Sequence, residues 1–377
     1  MRVSSAFDGG NAIVLEASAP GAIRAHIAKD AEADFRQWFH LRVSGADAPI
    51  AVRLENAREA TYAQGFVGYR AVASTDRQRW YRVETSFDDG VLTVRHPPAP
   101  SVWLAYFAPY SMERHHDLVA RAASDPRVTL EVLGATPDGQ DLDCLHVGEG
   151  PFEAWCIARQ HPGETMAEHF VEGLLARLLD ADDPVARALL ARMRFHVVPN
   201  MNPDGSRRGH LRTNARGANL NREWREPSLD RSPEVALVRA RMESTGVDLC
   251  LDVHGDEELP YCFIAGPDGI PSLRPAQRDA LARFREELAR RSPDFQTARG
   301  YPPAAPGEAD LRLATNWVAE RFGCLAMTLE MPFKDAANHP MPDTGWSPAR
   351  SAHLASACLD TLLAVAEATP LGVRSPA

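Results

Sequence analysis

Two imidazoles and two carboxylates in this chain have types and spacings that could do chemistry. His161 and Glu164, in His161-Pro-Gly-Glu164, lie three residues apart across a turn that leads into a helix. At that spacing both side chains fall on one side of the turn and can reach a single ion. His254 would add a second imidazole. Two imidazoles and one carboxylate hold zinc through three protein groups and leave a position open for water, as in a catalytic rather than a structural site. Glu330 follows the apolar run Leu325-Ala-Met-Thr-Leu329. A carboxylate half-buried there needs a partner or a task, and acting as general base beside an activated water is such a task. Taken singly, each residue has a plainer explanation. His161 could cap a strand, with Glu164 in a first helical turn favoured by the helix dipole. His254 could be a loop histidine and Glu330 the partner of an arginine. Together, the four positions favour a metal centre.

The elements that must position these residues are legible as a pattern. Phe152–Ala158 reads as a strand and is followed by His161 and Glu164. Arg194–Val198 is another, followed by Asn202-Pro-Asp-Gly205. His254 ends a strand over Val247–Val253, and Glu330 ends one over Leu325–Leu329. Ligands of open α/β sheets collect at the carboxyl ends of strands, so residues far apart in the chain converge on one rim. Helices are predicted over Met112–Ala123, Glu164–Leu179, Pro233–Glu243, Ala276–Arg291 and Ser351–Glu367. From about residue 125 the alternation of strands and helices predicts an α/β fold, a mixed sheet with helices on both faces.

The first hundred residues have a different rhythm. Short β-forming segments recur at Ala12–Ala17, Ile23–Ile27, Trp38–Val43, Ala51–Leu54, Arg79–Val83 and Val91–Val94. Turn signals such as Asp8-Gly9-Gly10, Ser44-Gly45 and Asp88-Asp89-Gly90 divide them. In Trp38–Val43, Phe39, Leu41 and Val43 alternate with Trp38, His40 and Arg42, the pattern of a half-buried strand. Such spacing predicts an antiparallel β-sandwich. Pro97-Pro-Ala-Pro100 breaks the pattern before a strand over Val102–Phe107. The expected division is a β-sandwich domain over residues 1–110 and an α/β domain over 111–377.

Composition narrows the classes of function. A chain of 377 residues can bury two cores, and its apolar (45%) and charged (24%) fractions are those of a soluble globular protein. No run approaches the roughly 18 apolar residues of a membrane span. Met1–Glu16 lacks the basic start and apolar stretch of a secretion signal, so a cytoplasmic protein is expected. The six cysteines form no close pair and read as small buried hydrophobes. A net charge of −10 argues against nucleic-acid binding. Oligomeric state is not legible.

In these motifs the chain resembles the zinc metallocarboxypeptidases, most closely their cytosolic branch. The matching residues are His161-Pro-Gly-Glu164, Asn202-Pro-Asp-Gly205, Gly217-Ala-Asn-Leu-Asn-Arg-Glu-Trp224, Asp252-Val-His254-Gly and Thr328-Leu-Glu330. Gln37-Trp-Phe-His-Leu-Arg-Val-Ser-Gly45 and Phe107-Ala-Pro-Tyr-Ser111 are similar to the β-sandwich that precedes the catalytic domain in that branch. The resemblance implies one zinc ion on His161, Glu164 and His254. It implies Glu330 as the glutamate that takes a proton from the attacking water and passes it to the leaving amine. Asn221 and Arg222 match the pair that binds the substrate's terminal carboxylate, and Arg212 the arginine that polarises the scissile carbonyl. A guanidinium fork suits a carboxylate, and a fixed cation suits an oxyanion. Tyr301 lies in the stretch where relatives carry a tyrosine that closes over substrate. Arg312 could face an acidic substrate side chain or stand in solvent. Asn219 replaces an aspartate common in relatives, a departure expected to leave the zinc ligands untouched.

The implied substrate is the C-terminus of a peptide or protein, with acidic terminal residues one possibility. Two alternatives stay open on the residues alone. One is zinc-dependent hydrolysis of small N-acyl amino acids on a similar scaffold. The other is a catalytically inactive binding protein.

Overall fold

The computed structural model describes residues 1–368. The expected second domain runs to 377, and residues 369–377 lie outside the described residues. Its centre is a seven-stranded sheet in the spatial order Val128–Ala135, Asp141–Val147, Met193–Val198, Phe152–Ala158, Leu249–Asp256, Leu325–Pro332, Phe263–Ala265. Met193–Val198 through Leu325–Pro332 are mutually parallel; Asp141–Val147 and Phe263–Ala265 run antiparallel to them, and the edge strand Val128–Ala135 pairs antiparallel with Asp141–Val147. Successive side chains of a strand point to opposite faces, and both faces here are covered. Cys156, Leu251 and Met327 pack with Phe170 and Leu174 of helix Met166–Leu178, Phe284 of Pro275–Arg291 and Leu359 of Pro348–Ala368. Trp155, Ile157, Cys250 and Ala326 pack with Val235 and Val238 of helix Pro233–Thr245 and Trp317 of Ala314–Phe322. This is the mixed α/β fold that the alternation predicts.

Phe152–Ala158 has its next strand in sequence on one side and the following one on the other. The chain therefore changes its direction of travel across the sheet there, which opens a crevice at the carboxyl ends of these strands.

The N-terminal part forms two five-stranded sheets. One orders Arg2–Ser4, His40–Ala46, Ala99–Ala105, Val72–Ser74 and Tyr81–Arg82. The other orders Ile13–Ala17, Ile23–His26, Ile50–Leu54, Val91–His96 and Thr85–Asp88. Pairing is antiparallel except between Ile23–His26 and Ile50–Leu54, which run parallel. A single apolar cluster continues from this part into the α/β part. Arg82 is buried at the junction, where its Nη2 donates to the carbonyls of Phe333 (2.7 Å) and Trp346 (3.1 Å).

Several local expectations need correction. His254 and Glu330 sit inside strands, not at their ends, because both strands continue in register to Asp256 and Pro332. The short strand Phe263–Ala265, invisible to pattern, adds beyond them and pairs Phe263 with Glu330. The alternation in Trp38–Val43 holds only from Leu41 onward. Trp38 and His40 are also buried, with Phe7 and Trp80 packed edge-on against the His40 ring. The proline run interrupts the strands for only two residues, since pairing with His40–Ala46 resumes at Ala99. Helix Pro184–Arg192 was not foreseen. The six cysteines are free and buried, as expected.

Candidate active site

Backbone register brings the chemistry together. The parallel pairing of Leu249–Asp256 with Leu325–Pro332 sets His254 directly beside Glu330. On the neighbouring strand the chain leaves the sheet at Ala158, makes a turn through His161-Pro-Gly, and enters helix Met166–Leu178. Glu164 in that turn is buried and bridges the two imidazoles. Its Oε1 lies 2.7 Å from His161 Nδ1 and its Oε2 2.8 Å from His254 Nδ1. The two Nδ1 atoms are 3.2 Å apart. The Gly255 N–H donates to the same Oε2 at 3.0 Å. One ligand atom from each of the three residues lies within 4.8 Å of the others, and among the described residues no other such group occurs.

Each imidazole is oriented from behind. His254 Nε2 stands 2.9 Å from Asp252 Oδ1, and Gln160 donates to the other Asp252 oxygen at 2.8 Å. His161 Nε2 lies 3.0 Å from Asn219 Oδ1. A proton on each Nε2 leaves each Nδ1 with a lone pair aimed at the shared centre. Burial, assisted by the charge of Arg212, lowers the His161 pKa to about 4, so its ring is neutral. Burial pushes the Glu164 carboxyl up, but the two imidazoles outweigh it and hold Glu164 below the usual carboxylate range. Burial lowers the His254 pKa, and Asp252 and Glu164 outweigh it to raise it. A cation at Nδ1 would compete with that proton. Two imidazole nitrogens and a carboxylate, all buried and braced by outer partners, are a donor set that fits zinc.

These residues open onto a cavity of about 540 Å³. Glu330 lies in its wall, with Oε2 buried and unpaired among the described residues and Oε1 3.3 Å from the Tyr301 hydroxyl. Burial, reinforced by Glu164, Asp256 and Glu257, raises its pKa against the opposing pull of His254. Arg212, Asn221 and Arg222 also line the cavity. The Asn221 Oδ1 accepts from the Ala314 N–H at 2.8 Å, which leaves the amide's own N–H groups for the cavity. Arg222 stands exposed at the rim, where its Nη1 donates to the Asn221 carbonyl. Tyr301 reaches in from a loop, donating to Asp256 Oδ2 at 2.5 Å.

Known proteins resemble this chain over most of its length. Residues 114–353 match the zinc carboxypeptidase family, and residues 3–107 match the cytosolic carboxypeptidase N-terminal domain. The chain belongs to the zinc carboxypeptidase family. An uncharacterized protein of Zymomonas mobilis is 52% identical, with 98% of each chain covered. A metallo-carboxypeptidase from Burkholderia cenocepacia has a similar structure, with a TM-score of 0.95 and 45% identity, covering 98% of this chain and all of that one. So does a metallo-carboxypeptidase from Pseudomonas aeruginosa, at a TM-score of 0.95 and 45% identity over 97% of this chain and 99% of that one. Cytosolic carboxypeptidase-like protein 5 of Bos taurus is 26% identical, and the match spans only 35% of its length. The chain is thus a carboxypeptidase, a hydrolase whose family implies a metal cofactor, typically zinc.

In this carboxypeptidase two expectations fail. Arg312 does not line the cavity. Its guanidinium is held by Asp310 through Nε (2.9 Å) and Nη2 (2.9 Å) at the surface. Nor does Asn219 stand clear of the ligand set, since it is the outer partner of His161. Other residues at the site escaped notice. Asp252 was legible, because residues two apart in a strand share a face and it stands two before His254. Tyr62, Glu257 and Arg285 line the cavity without any local signal.

Proposed function

We propose that this carboxypeptidase removes the C-terminal residue of peptides or proteins, with His161, Glu164 and His254 holding one zinc ion and Glu330 carrying the proton. The observation that supports this is the meeting of the three donors beside a buried Glu330 whose Oε2 is unpaired among the described residues. Zinc bound to such a set lowers the pKa of a coordinated water toward about 7. Glu330 takes the water's proton as its oxygen bonds to the scissile carbonyl carbon. It then delivers that proton to the amine nitrogen as the C–N bond breaks. Arg212 faces the carbonyl oxygen as it gains charge. Arg222 and the Asn221 amide bind the terminal carboxylate. Tyr301 closes the cavity over the substrate. The division near residue 110 into a sandwich and a catalytic domain belongs to the same reading.

The side chain accepted at the cleaved residue is a finer matter. With Arg312 tied to Asp310, an acidic preference rests on Arg285, whose Nε is buried and unpaired among the described residues. A basic residue is the second reading. Asp268 also lines the cavity, 3.9 Å from Arg285. The Pseudomonas aeruginosa enzyme was solved with (2-guanidinoethylmercapto)succinic acid, which joins a guanidinium to two carboxylates. A cytoplasmic location is supported by the cytosolic relatives and the six free thiols. No helix among the described residues is long and apolar enough to cross a membrane.

The test is a peptide library ending in Glu, Arg or Phe, with N-acyl amino acids alongside, with and without chelator. Release of single C-terminal residues that stops on chelation and returns with zinc is expected. Hydrolysis of the N-acyl amino acids alone would replace the peptidase reading. Arg285→Met should weaken cleavage before Glu if the acidic reading holds, and Asp268→Asn cleavage before Arg if the basic one does.

A further inference from the structure

The loop that carries Arg212 is held from the sandwich. Helix Pro203–Arg208 ends at Gly209, whose φ of 71° is the left-handed conformation that lets the chain turn sharply. The next residues have no helical or sheet hydrogen bonds to fix them. Instead, three successive N–H groups converge on one carboxylate. Leu211 N–H donates to Asp30 Oδ1 at 2.6 Å, and the N–H groups of Arg212 and Thr213 donate to Oδ2 at 2.8 and 2.9 Å. The Thr213 hydroxyl adds a fourth bond at 3.0 Å. Such a run of N–H groups is a nest for an anion, and here Asp30, 3% exposed, fills it. Hydrogen bonds to an ionised acceptor are the strong kind.

The sandwich also confines the guanidinium. Its carbon lies 5.9 Å from the Phe35 ring centroid and 5.5 Å from that of Tyr62. Tyr62 is itself pinned, its N–H donating to Gln37 Oε1 (2.8 Å) and its carbonyl accepting from Gln37 Nε2 (3.0 Å). Tyr62 lines the catalytic cavity.

We infer that Asp30 is a positioning residue for Arg212, so that the N-terminal sandwich sets the geometry of the transition-state arginine. This rests on the role given to Arg212 above. Cation and carbonyl must meet within a few tenths of an ångström, and a misplacement near 1 Å costs about 100-fold in rate. Asp30→Asn removes the charge and puts an NH2 group where one of the two accepting oxygens stood, so it faces N–H donors it cannot accept from and the loop relaxes. Substrate still binds through Arg222 and Asn221, so the loss falls on kcat rather than KM.

The experiment is a double-mutant cycle on the zinc-loaded full chain. Wild type, Asp30→Asn, Arg212→Gln and the double variant are compared for kcat, KM and zinc content. Amide exchange of residues 209–214 is followed in each. For Asp30→Asn we expect a fall in kcat of about 10- to 100-fold, KM within twofold, full zinc content and faster exchange in that segment. In the Arg212→Gln background the same substitution should cost less than twofold, because the group it positions is gone. An equal loss in both backgrounds, or no loss in either, overturns the inference. If Arg212→Gln alone leaves kcat unchanged, the role of Arg212 falls instead. Should Asp30→Asn not fold, Thr213→Val removes the hydroxyl bond to Asp30 Oδ2 while keeping the carboxylate and its backbone N–H donors. It enters the same cycle with the same expected pattern.

Discussion

Glu330 needs two properties that rarely coexist in one carboxylate: burial and an unpaired oxygen. A buried acceptor without a donor costs about 1–3 kcal/mol, yet Glu330 Oε2 has none among the described residues. That cost makes sense if the oxygen is kept open for a water's proton. Glu330→Gln keeps the shape and removes the basicity, so kcat should fall about 10²- to 10⁴-fold while zinc content, measured by metal analysis, stays at one per chain. Undiminished turnover in this variant would remove Glu330 from the mechanism. Asn219 presents a different problem. It is the neutral counterpart of Asp252, since each stands behind one ligand histidine. Outer partners of this kind are worth about 10- to 100-fold in metal affinity. Asn219→Ala should weaken zinc retention by that factor in competition with a chelator, and Asn219→Asp should strengthen it by making the His161 ring a better donor. Equal affinity in all three proteins would mean that Asn219 only fills space.

Between strand and helix, one element does most of the positioning. Arg159 leaves strand Phe152–Ala158 with φ of 57°, a left-handed conformation uncommon for a side chain of its kind. The turn brings its buried guanidinium against Glu168 Oε2 (2.6 Å), the Tyr110 carbonyl (2.9 Å) and the Pro162 carbonyl (2.9 Å). One side chain thus ties the helix and the preceding segment to the loop that carries His161 and Glu164. Removing one partner of a buried ion pair costs about 3–5 kcal/mol, so Arg159→Met should lower unfolding free energy by that amount and loosen zinc as well. Urea unfolding and chelator competition report the two effects separately. Nothing in the sequence singled out Arg159, because two of its three partners are backbone carbonyls that any residue could supply. His161, Glu164, His254 and Glu330 were legible because their chemistry depends on residue type and on strands that apolar runs reveal. Arg312 misled because Asp310, two positions earlier, neutralises it locally. Arg285 went unnoticed because helix Pro275–Arg291 carries several arginines, and only packing against the sheet decides which one faces the cavity. Asp30 was out of reach for a related reason, since its partners at 211–213 are remote in the chain and offer only backbone N–H groups.

At the scale of the whole molecule, the elements around the site are joined by a charged core. His115 of helix Met112–Ala123 is buried between two carboxylates. Its Nδ1 lies 2.6 Å from Glu168 Oε1 on helix Met166–Leu178, and its Nε2 3.5 Å from Asp143 Oδ2 on strand Asp141–Val147. Burial pulls the His115 pKa down, but Glu168 and Asp143 outweigh it and hold the imidazolium at about 9, against 6.5 in the unfolded chain. A folded-state pKa above the unfolded one means that the native protein binds the proton more tightly. The associated stability is therefore complete below pH 6.5 and disappears as pH rises through 9. A rise of that size corresponds to roughly 3 kcal/mol, enough to show in a protein of ordinary stability. Glu234 works in the same direction over a lower pH window. Burial lifts its pKa to about 7, so it disfavours folding as pH climbs from 4.5 through 7, and the wild-type profile alone mixes the two. Subtracting His115→Gln isolates the histidine, because Glu234 is common to both proteins. Unfolding free energies from urea titrations at pH 6, 7.5 and 9.5 should show wild type ahead of the variant at pH 6. That lead should shrink by pH 7.5 and narrow by about 3 kcal/mol in total at pH 9.5. A lead that stays constant across the range would mean that His115 contributes packing and hydrogen bonds but holds no extra proton, and the three elements would then be joined without a charge between them.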